Sequence, residues 1–252
     1  TILDGGMGQE LKARSNSAPT GLWATKFMMD APNLVREIHD DYFAAGADIA
    51  TTNTYAIHRD RLVEPGLEDQ FEALHVMACE MAVAAREAHG AGLVAGSLGP
   101  LGWSYRPDLA PPAEEAARLY AEIVALHAPY VDLHLYETMS GLEQCRGALM
   151  GAAGATKPVW LSVSVDDFDG TKLRSGEDVA EVLPLVEDHG AAALLVNCSR
   201  PEAVSQALSA LAGAGVPLGA YANGFTSISA TFKEKAASVD RLETRKDLGP
   251  RD

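Results

Sequence analysis

The sequence lacks the features that mark a membrane-bound or nucleic-acid-binding protein. It contains no run of about 18 apolar residues, the length that a membrane-spanning helix needs, and no basic segment followed by an apolar one at its start. Basic residues are few: 20 Lys and Arg stand against 35 Asp and Glu, which gives a formal net charge of −15. A charge of this sign argues against nucleic acid or an anionic membrane surface as a partner.

Cysteine is also scarce. The three cysteines, Cys79, Cys145 and Cys198, are scattered and odd in number, which fits a reducing cytoplasm better than a disulfide framework. We therefore expect a cytoplasmic protein whose partners are small molecules. The sequence leaves open whether the protein forms a homo-oligomer. The chain begins on a predicted strand without an initiator methionine, so we expect that a few residues precede Thr1.

Short apolar runs alternate with amphipathic segments along the chain. Seven runs predict buried strands, at Thr1–Leu3, Asp48–Thr54, Leu93–Ser97, Val131–Tyr136, Pro158–Val165, Ala192–Val196 and Pro217–Tyr221. Six segments between them have apolar residues at helical spacing. In the fourth, Ser140 and Glu143 predict a capping box, and in the fifth we expect Pro184 to kink or shorten the helix. This alternation is typical of a parallel sheet, either a closed barrel or an open doubly wound sheet.

The sequence favours the barrel. No Gly-x-Gly-x-x-Gly turn, the dinucleotide-binding signature of an open sheet, follows an early strand. Polar residues follow many different strands, at the ends that a barrel gathers on one catalytic rim. They are Asp4, Asn53, Tyr55, Glu137, Cys198 and Asn223. We therefore predict an α/β fold, a (β/α)8 TIM barrel, in one domain over residues 1–252. Seven strands would leave two open edges, so we expect the eighth beyond Asp252 and a C-terminally incomplete domain.

Cys198 lies where a predicted buried strand gives way to a helix. The run Ala191–Val196 precedes it, and Ser199 with Glu202 predicts a capping box around Pro201. A thiol at a helix N-terminus has a lowered pKa, and the thiolate is the form that binds metals and attacks electrophiles. The alternative is that Cys198 is only a small buried hydrophobic residue, as most free cysteines are.

Seven motifs occur in order along nearly the whole chain. They are Leu-Asp-Gly-Gly-Met-Gly-Gln-Glu-Leu (3–11), Leu22-Trp23, Ala-Gly-Ala-Asp-Ile-Ala-Thr-Thr-Asn-Thr-Tyr (45–55), Gly-Ser-Leu-Gly-Pro (96–100), Glu137-Thr-Met, Val196-Asn-Cys-Ser and Tyr221-Ala-Asn-Gly. Together they resemble the homocysteine S-methyltransferase family. Seven collinear motifs are far more specific than any one of them.

The resemblance implies a (β/α)8 barrel that holds a zinc ion through three thiolates. One thiolate takes the position of Cys198, and the other two form an adjacent pair in a Gly-Gly-Cys-Cys motif after strand eight. This sequence does not contain that motif, and Cys79 and Cys145 lie on helical patterns remote from the rim. We therefore expect zinc in a full-length protein, with its remaining ligands beyond Asp252. A chain that ends at Asp252 is expected to lack the metal and to be inactive.

The implied activity is zinc-dependent methyl transfer from an activated donor to the thiol of homocysteine, or of a close analogue such as selenohomocysteine or selenocysteine, giving methionine or its analogue. A free thiol with a pKa near ~8.5 is a poor nucleophile at neutral pH. Zinc with three protein ligands leaves one position for the substrate sulfur and favours its deprotonation. The methyl donor stays open among S-methylmethionine, S-adenosylmethionine, a betaine and a folate.

The resemblance also implies roles for residues near the strand ends. Asp4 and Glu137 would hold the amino group of homocysteine and, with Cys198, form the catalytic set. Gly5 and Gly6 would let the backbone approach the substrate carboxylate. Each carboxylate could instead cap a loop or form a salt bridge within it, and paired glycines are ordinary turn residues.

Four further residues complete the predicted substrate site. Asn53 and Asn197 would orient loops and ligands. Tyr55 matches a tyrosine that approaches zinc when substrate is absent, and Trp23 would face the methyl donor. Both aromatic residues could equally be packing residues. The seven histidines show no metal-binding spacing, so none is assigned a role.

Two other classes of function stay open. The chain could be a zinc-free barrel enzyme with other amino-acid chemistry, or a non-catalytic barrel that binds an amino acid. A Gly-Gly-Cys-Cys motif in the encoding gene would favour the methyltransferase.

Overall fold

The structure is a computed structural model that describes residues 1–15, 22, 24–228 and 242–248. Trp23 lies outside the described residues. The strands are β1 Ile49–Thr51, β2 Leu93–Leu98, β3 Leu133–Met139, β4 Val159–Val163, β5 Ala193–Asn197 and β6 Leu218–Tyr221. The α-helices of the described part are α1 Met7–Arg14, α2 Ala24–Asp30, α3 Pro32–Ala44, α4 Arg59–Val63, α5 Phe71–His89, α6 Ala113–His127, α7 Leu142–Gly151, α8 Val182–His189 and α9 Pro201–Ala210. Short 3₁₀ helices span Glu68–Gln70, Pro107–Leu109 and Val179–Glu181.

The described strands form one sheet in chain order, from β1 to β6. β1 pairs with β2, β4 with β5 and β5 with β6, all in parallel. The run at Thr1–Leu3 makes a single parallel bridge, from Leu3 to Ile49. Each predicted strand thus corresponds to a strand or a bridge, and the predicted alternation with helices is confirmed.

Strands β2, β3 and β5 are largely buried as their continuous apolar runs predict. The prediction of a buried strand is wrong for β6, whose residues alternate between exposed and half-buried because it ends the described sheet. All five residues of β5 are buried, because helices cover both faces of a parallel sheet and leave no polar side to alternate with the apolar one. Helix ends also follow the sequence: α5 ends at Gly90, which adopts a left-handed conformation with φ of 81°. The fifth helical segment is shortened as expected, since α8 begins at Val182 and places Pro184 in its first turn.

Both predicted capping boxes are wrong. α9 has Pro201 in its first turn as predicted, but its N-cap is Arg200 and no side chain caps it. The N-cap of α7 is Gly141 rather than Ser140, and Oε1 of Glu143 accepts a hydrogen bond from the backbone N of Ala113 at 2.9 Å. In both cases the predicted capping hydroxyl has another partner: Oγ of Ser140 donates to the carbonyl of Thr138, and Oγ of Ser199 accepts from the backbone N of Val165. Asp178 and Glu181 form a true capping box before α8, which was not predicted.

The chain divides into two compact units. The first comprises Thr1–Gly99, Ala121–Leu135 and Ala155–Pro158, and the second comprises Pro100–Tyr120, Tyr136–Gly154 and Val159–Asp252. A core cluster of the first unit packs Phe43 against small residues of α5, including the buried Cys79. In the second unit, Tyr120 meets Tyr136 edge to face, with ring centroids 5.1 Å apart. The prediction of a single domain stays a prediction.

None of the described helices has the length and apolar character needed to cross a membrane.

Candidate active site

Asn197, the last residue of β5, ties this strand to the end of β3. Its Oδ1 accepts a hydrogen bond from the backbone N of Thr138 at 3.0 Å, and its Nδ2 donates to Oγ1 of Thr138 at 3.0 Å. The same Nδ2 donates to Sγ of Cys198 at 3.3 Å. Because both N–H groups of this fully buried amide are used, Thr138 and Cys198 are fixed relative to each other.

The backbone around Cys198 is strained. Among the described residues other than glycine, Tyr105, Thr138 and Cys198 have positive φ, of 62°, 63° and 49°. Residues with side chains seldom adopt this left-handed conformation, and strained residues of this kind cluster at functional sites. The side chains of Thr138 and Tyr105 both hydrogen-bond the thiol of Cys198. The strained positions therefore converge on one sulfur atom.

The thiol of Cys198 is not acidified as the sequence predicts. Burial raises its pKa, and the negative charge of Glu137 adds to this effect. The hydroxyls of Thr138 and Tyr105 and the charge of Arg174 oppose it without reversing it. The prediction of a lowered pKa is therefore wrong, because loss of hydration and a nearby carboxylate outweigh the helix N-terminus.

Glu137 lies within β3, close to the same sulfur. Its Oε2 accepts a hydrogen bond from the hydroxyl of Tyr221 at 2.9 Å, and the backbone carbonyl of Tyr221 accepts one from the N of Cys198 at 3.1 Å. Burial and the charge of Glu137 raise the pKa of Tyr221 well above its ordinary value, so the phenol stays a donor at neutral pH. A half-buried carboxylate, a phenol and a thiol thus lie at the ends of neighbouring segments of the second unit.

The second unit contains a cleft of about 650 Å³, and Glu137, Cys198 and Tyr221 are not among its lining residues. Tyr105 and Arg174 line it, and both also act on the thiol of Cys198. The other lining residues are Arg106, Pro107, Asp108, Gly141, Glu143, Gln144, Ser175 and Glu177. A cleft of this size admits an amino acid.

Asp4 belongs to the first unit, one residue after the Leu3 bridge. Its Oδ2 accepts a hydrogen bond from the backbone N of Thr51 at 2.7 Å. The same atom lies 3.8 Å from Nδ1 of His39, and the side chains of His39 and Asp4 are 0% and 3% exposed. The carboxylate therefore ties the start of the chain to β1, and its role toward an amino group stays a prediction.

Four other predicted residues lie in the first unit. Asn53 is buried and donates from Nδ2 to the carbonyl of Ala24 at 3.1 Å. A Cβ at Gly5 would lie 2.6 Å from the ring of Tyr42, so this position needs glycine for packing. Gly6 is the N-cap of α1, and the half-buried ring of Tyr55 packs against Gly99. The structure thus brings Glu137, Asn197 and Cys198 together in the second unit.

The residues of this sequence do not complete the expected zinc site. No group of three or more His, Cys, Asp or Glu among the described residues could hold a metal ion. Cys79 and Cys145 lie inside α5 and α7 with no exposed surface, and burial raises the pKa of each thiol to about 12. Cys198 is therefore the one sequence-predicted thiolate ligand that the described structure offers.

Sequence reasoning missed four residues of this site: Tyr105, Thr138, Arg174 and Tyr221. Thr138 and Tyr221 are inside motifs that carry the family resemblance, so their positions could have been found there. Arg174 and Tyr105 lie in loops and gave no periodic signal. Asp167, the partner of Arg174, follows the predicted strand Pro158–Val165 closely, which is the same signal that selected Glu137 and Cys198.

Comparisons with known proteins agree with the motifs. The family model described as homocysteine S-methyltransferase matches residues 1–247. A homocysteine S-methyltransferase of Escherichia coli (strain K12) is 33% identical over 244 residues, which cover 88% of this chain and 77% of that protein. Homocysteine S-methyltransferase YbgG of Bacillus subtilis (strain 168) is 26% identical over 219 residues, covering 79% of this chain and 69% of that protein.

A solved structure agrees as well. The metallated form of the homocysteine methyltransferase MmuM from Escherichia coli superposes with a TM-score of 0.81 and 31% identity, covering 88% of this chain and 83% of that one. This match confirms the predicted α/β barrel class. Together with the family model, it also confirms the prediction of an enzyme of the methyltransferase class. The chain belongs to the homocysteine S-methyltransferase family.

Proposed function

We propose that this chain binds homocysteine, or a close analogue such as selenohomocysteine or selenocysteine, and transfers a methyl group to its sulfur. The observation that carries this proposal is the convergence of Glu137, Tyr221 and Cys198, two of which the sequence had selected as site residues. Glu137 acts on both other groups through its charge, so the three share one electrostatic environment. An amino acid with a thiol has a cationic ammonium group and a sulfur atom. Glu137 would bind the ammonium group, and Cys198 would lie near the sulfur.

Glu137 would hold the ammonium group of the substrate. A half-buried carboxylate that already raises the pKa of Cys198 and of Tyr221 gains most from a cation, since the cation neutralises its charge. Tyr221 orients the carboxylate by donating to Oε2. Cys198, fixed by Asn197 and Thr138, would lie toward the substrate sulfur.

The reaction breaks the bond between the methyl carbon and the sulfur or nitrogen of the donor and forms a carbon–sulfur bond to homocysteine. The sulfur of homocysteine loses its proton to solvent, its electron pair forms the new S–CH3 bond, and the electrons of the donor's bond to methyl leave with the donor. The products are methionine and the demethylated donor. The candidate donors remain S-methylmethionine, S-adenosylmethionine, a betaine and a folate. We place the reaction in the cytoplasm, because the three cysteines are free thiols.

Zinc belongs to this proposal only as an expectation from the family resemblance. Bound zinc would polarise the substrate thiol, but Cys198 supplies one ligand of three and the other cysteines lie inside helices. No step above therefore uses a metal. Elemental analysis tests this expectation: stoichiometric zinc in a protein whose intact mass proves that it ends at Asp252 would overturn our account of the ligands.

A labelled methyl donor tests the activity. The full-length, zinc-loaded protein is incubated with homocysteine and each candidate donor carrying a deuterated methyl group, and the products are identified by mass spectrometry. We expect labelled methionine with at least one donor, and its loss in Cys198→Ser. Binding of homocysteine without label transfer from any donor would favour the non-catalytic amino-acid-binding alternative. Failure to bind homocysteine would overturn the proposal.

A further inference from the structure

Arg174 and Asp167 form an ion pair in the interior of the second unit. Nη2 of Arg174 lies 2.9 Å from Oδ1 of Asp167, and the two side chains are 4% and 0% exposed. Both charges lose their hydration, so a buried pair is seldom more stabilising than apolar residues of the same size. The position of the pair therefore calls for an explanation other than stability.

The contacts of Arg174 supply that explanation, because they converge on the turn that carries Cys198. Nη2 donates to the backbone carbonyl of Cys198 at 3.3 Å, and Nε donates to Oγ of Ser164 at 2.8 Å. Ser164 in turn donates to the same carbonyl at 3.4 Å. The guanidinium also lies 5.0 Å above the centroid of the Tyr105 ring, whose side chain hydrogen-bonds the thiol of Cys198.

Asp167, which accepts from Nη2 of Arg174, is itself held by two further hydrogen bonds. Its Oδ2 accepts hydrogen bonds from the backbone N of Ile228 at 2.8 Å and from Oγ of Ser227 at 3.1 Å. The carboxylate thus joins the loop after β4 to the segment after β6. Arg174 connects Asp167 to the turn after β5, because its Nη2 donates to both Asp167 and the carbonyl of Cys198.

Only a guanidinium has the shape for these contacts. Its planar fork presents several N–H donors in fixed directions and can stack on an aromatic ring at the same time. A lysine ammonium at this position keeps the positive charge opposite Asp167 but has a single nitrogen, which cannot reach Ser164 and the Cys198 carbonyl together. Replacement of Arg174 by lysine therefore keeps the positive charge and removes the paired hydrogen bonds, so it tests the hydrogen-bond geometry alone.

We propose that Arg174, held by Asp167, is a positioning residue of the active site. It holds the carbonyl of Cys198 in the strained left-handed turn and keeps the ring of Tyr105 in place, and so fixes the direction of the thiol and of the side chain that meets it. Its effect on catalysis rests on the proposed function. Its effect on the turn does not, and the two are measured separately.

The test variant is Arg174→Lys, and the matched control is Lys172→Gln. Lys172 lies in the same loop and pairs with Asp178 at 3.5 Å, but these side chains are 42% and 48% exposed. The control therefore removes a charge pair from the same segment without touching the Cys198 turn. Thermal unfolding of both variants establishes that they fold.

Two readouts report on positioning. The first is hydrogen exchange of the Cys198 amide, which donates to the carbonyl of Tyr221 and reports opening of the turn. We expect exchange to be about tenfold faster in Arg174→Lys and unchanged in Lys172→Gln. The second is the methyl-transfer assay, in which we expect kcat to fall about tenfold or more in Arg174→Lys, with a smaller change in KM for homocysteine. Arg174 does not hold the amino group that Glu137 would bind.

Asp167→Asn and Tyr105→Phe keep the proposal open to refutation if Arg174→Lys does not fold. Asp167→Asn keeps the shape of the side chain but removes the charge that holds Arg174, so it should also speed exchange at Cys198. Tyr105→Phe keeps the ring under the guanidinium and should lower kcat without changing the exchange. Wild-type exchange at Cys198 in every folded variant of Arg174 and Asp167 would overturn the proposal. Faster exchange in a protein that transfers no methyl group would support the positioning role while the proposed function fails.

Discussion

Tyr221 donates its hydroxyl hydrogen to Oε2 of Glu137 at 2.9 Å, which joins the end of β6 to β3. This bond places the carboxylate beside the Cys198 turn, since the carbonyl of Tyr221 accepts from the N of Cys198. One residue therefore holds both the group that would bind the substrate amine and the turn that carries the thiol. The bond makes Glu137 the most direct test of the proposed substrate orientation.

Glu137→Gln should weaken homocysteine binding and leave the fold intact. The amide oxygen can still accept from Tyr221, but the charge that would attract the ammonium group is lost. A charge-assisted hydrogen bond contributes about 1.5–3 kcal/mol, which corresponds to a loss of roughly tenfold to a hundredfold in affinity. Calorimetric titration measures the affinity of each variant for homocysteine. Glu187→Gln, at an exposed position in α8, is the control, and equal affinities in the two variants would contradict the assignment of Glu137.

Asn197→Ala should destabilise the protein and disturb the site together. The substitution leaves the buried backbone N–H of Thr138 without its acceptor, which costs about 1–3 kcal/mol. Urea unfolding measures the free energy, and titration measures homocysteine binding. Gln206→Ala is the control, because Oε1 of Gln206 also accepts from a backbone N–H, that of Gly170, but in another loop. If the Gln206 variant lost binding as strongly as the Asn197 variant, the local role of Asn197 would be refuted.

Apolar periodicity in the sequence predicts the strands and helices α3 and α5 to α9, but helices α1, α2 and α4 were not predicted. β5, for example, is found within one residue of its predicted bounds. The helix starts were predicted less well. Ser199 has the right spacing for a cap, but its hydroxyl accepts from the backbone N of Val165 across to the neighbouring loop. A tertiary partner of this kind leaves no trace in local spacing.

The candidate site was predictable only in part, for a related reason. Glu137 and Cys198 follow from their positions at strand ends, whereas the state of the thiol does not. The helix N-terminus would lower the pKa of Cys198, yet burial and Glu137 raise it. Those opposing effects depend on residues distant in sequence, as does the contact of Arg174 with the Cys198 carbonyl.

Buried histidines should make the stability of the protein sensitive to acid. His39, His75 and His134 are buried, and burial lowers the pKa of each to about 4 from 6.5. His58 and His127 are also buried, with the pKa lowered further. Because the unfolded chain takes up these protons near pH 6.5 and the folded chain does not, stability is fully present above that pH and is lost as pH falls toward 4.

Each such ring changes the free energy of unfolding by at most about 1.4 kcal/mol per pH unit in this window. Urea unfolding at several pH values between neutrality and pH 4.5 measures the slope. His75→Gln should reduce it, since this ring bonds both His127 and the carbonyl of Ile57 in the interior. His189→Gln, at an exposed position, serves as the control. A stability that does not change over this range would contradict the neutral, buried state of the histidines.

Cys198 should be the first cysteine to react with iodoacetamide, and it should react slowly. It is half-buried, whereas Cys79 and Cys145 have no exposed surface, so the reagent reaches Cys198 without unfolding. Its reaction is slow because burial and Glu137 raise its pKa and keep most of it as the thiol.

Peptide mapping by mass spectrometry assigns the label at successive times, and denatured protein gives the reference rate for all three thiols. We expect labelling of native Cys198 to be slower than in the denatured chain, and the label to disappear in Cys198→Ser. Glu137→Gln should accelerate the labelling, because removal of the nearby negative charge lowers the pKa of the thiol. Labelling of native Cys198 faster than in the denatured chain would show that the helix N-terminus prevails over burial after all.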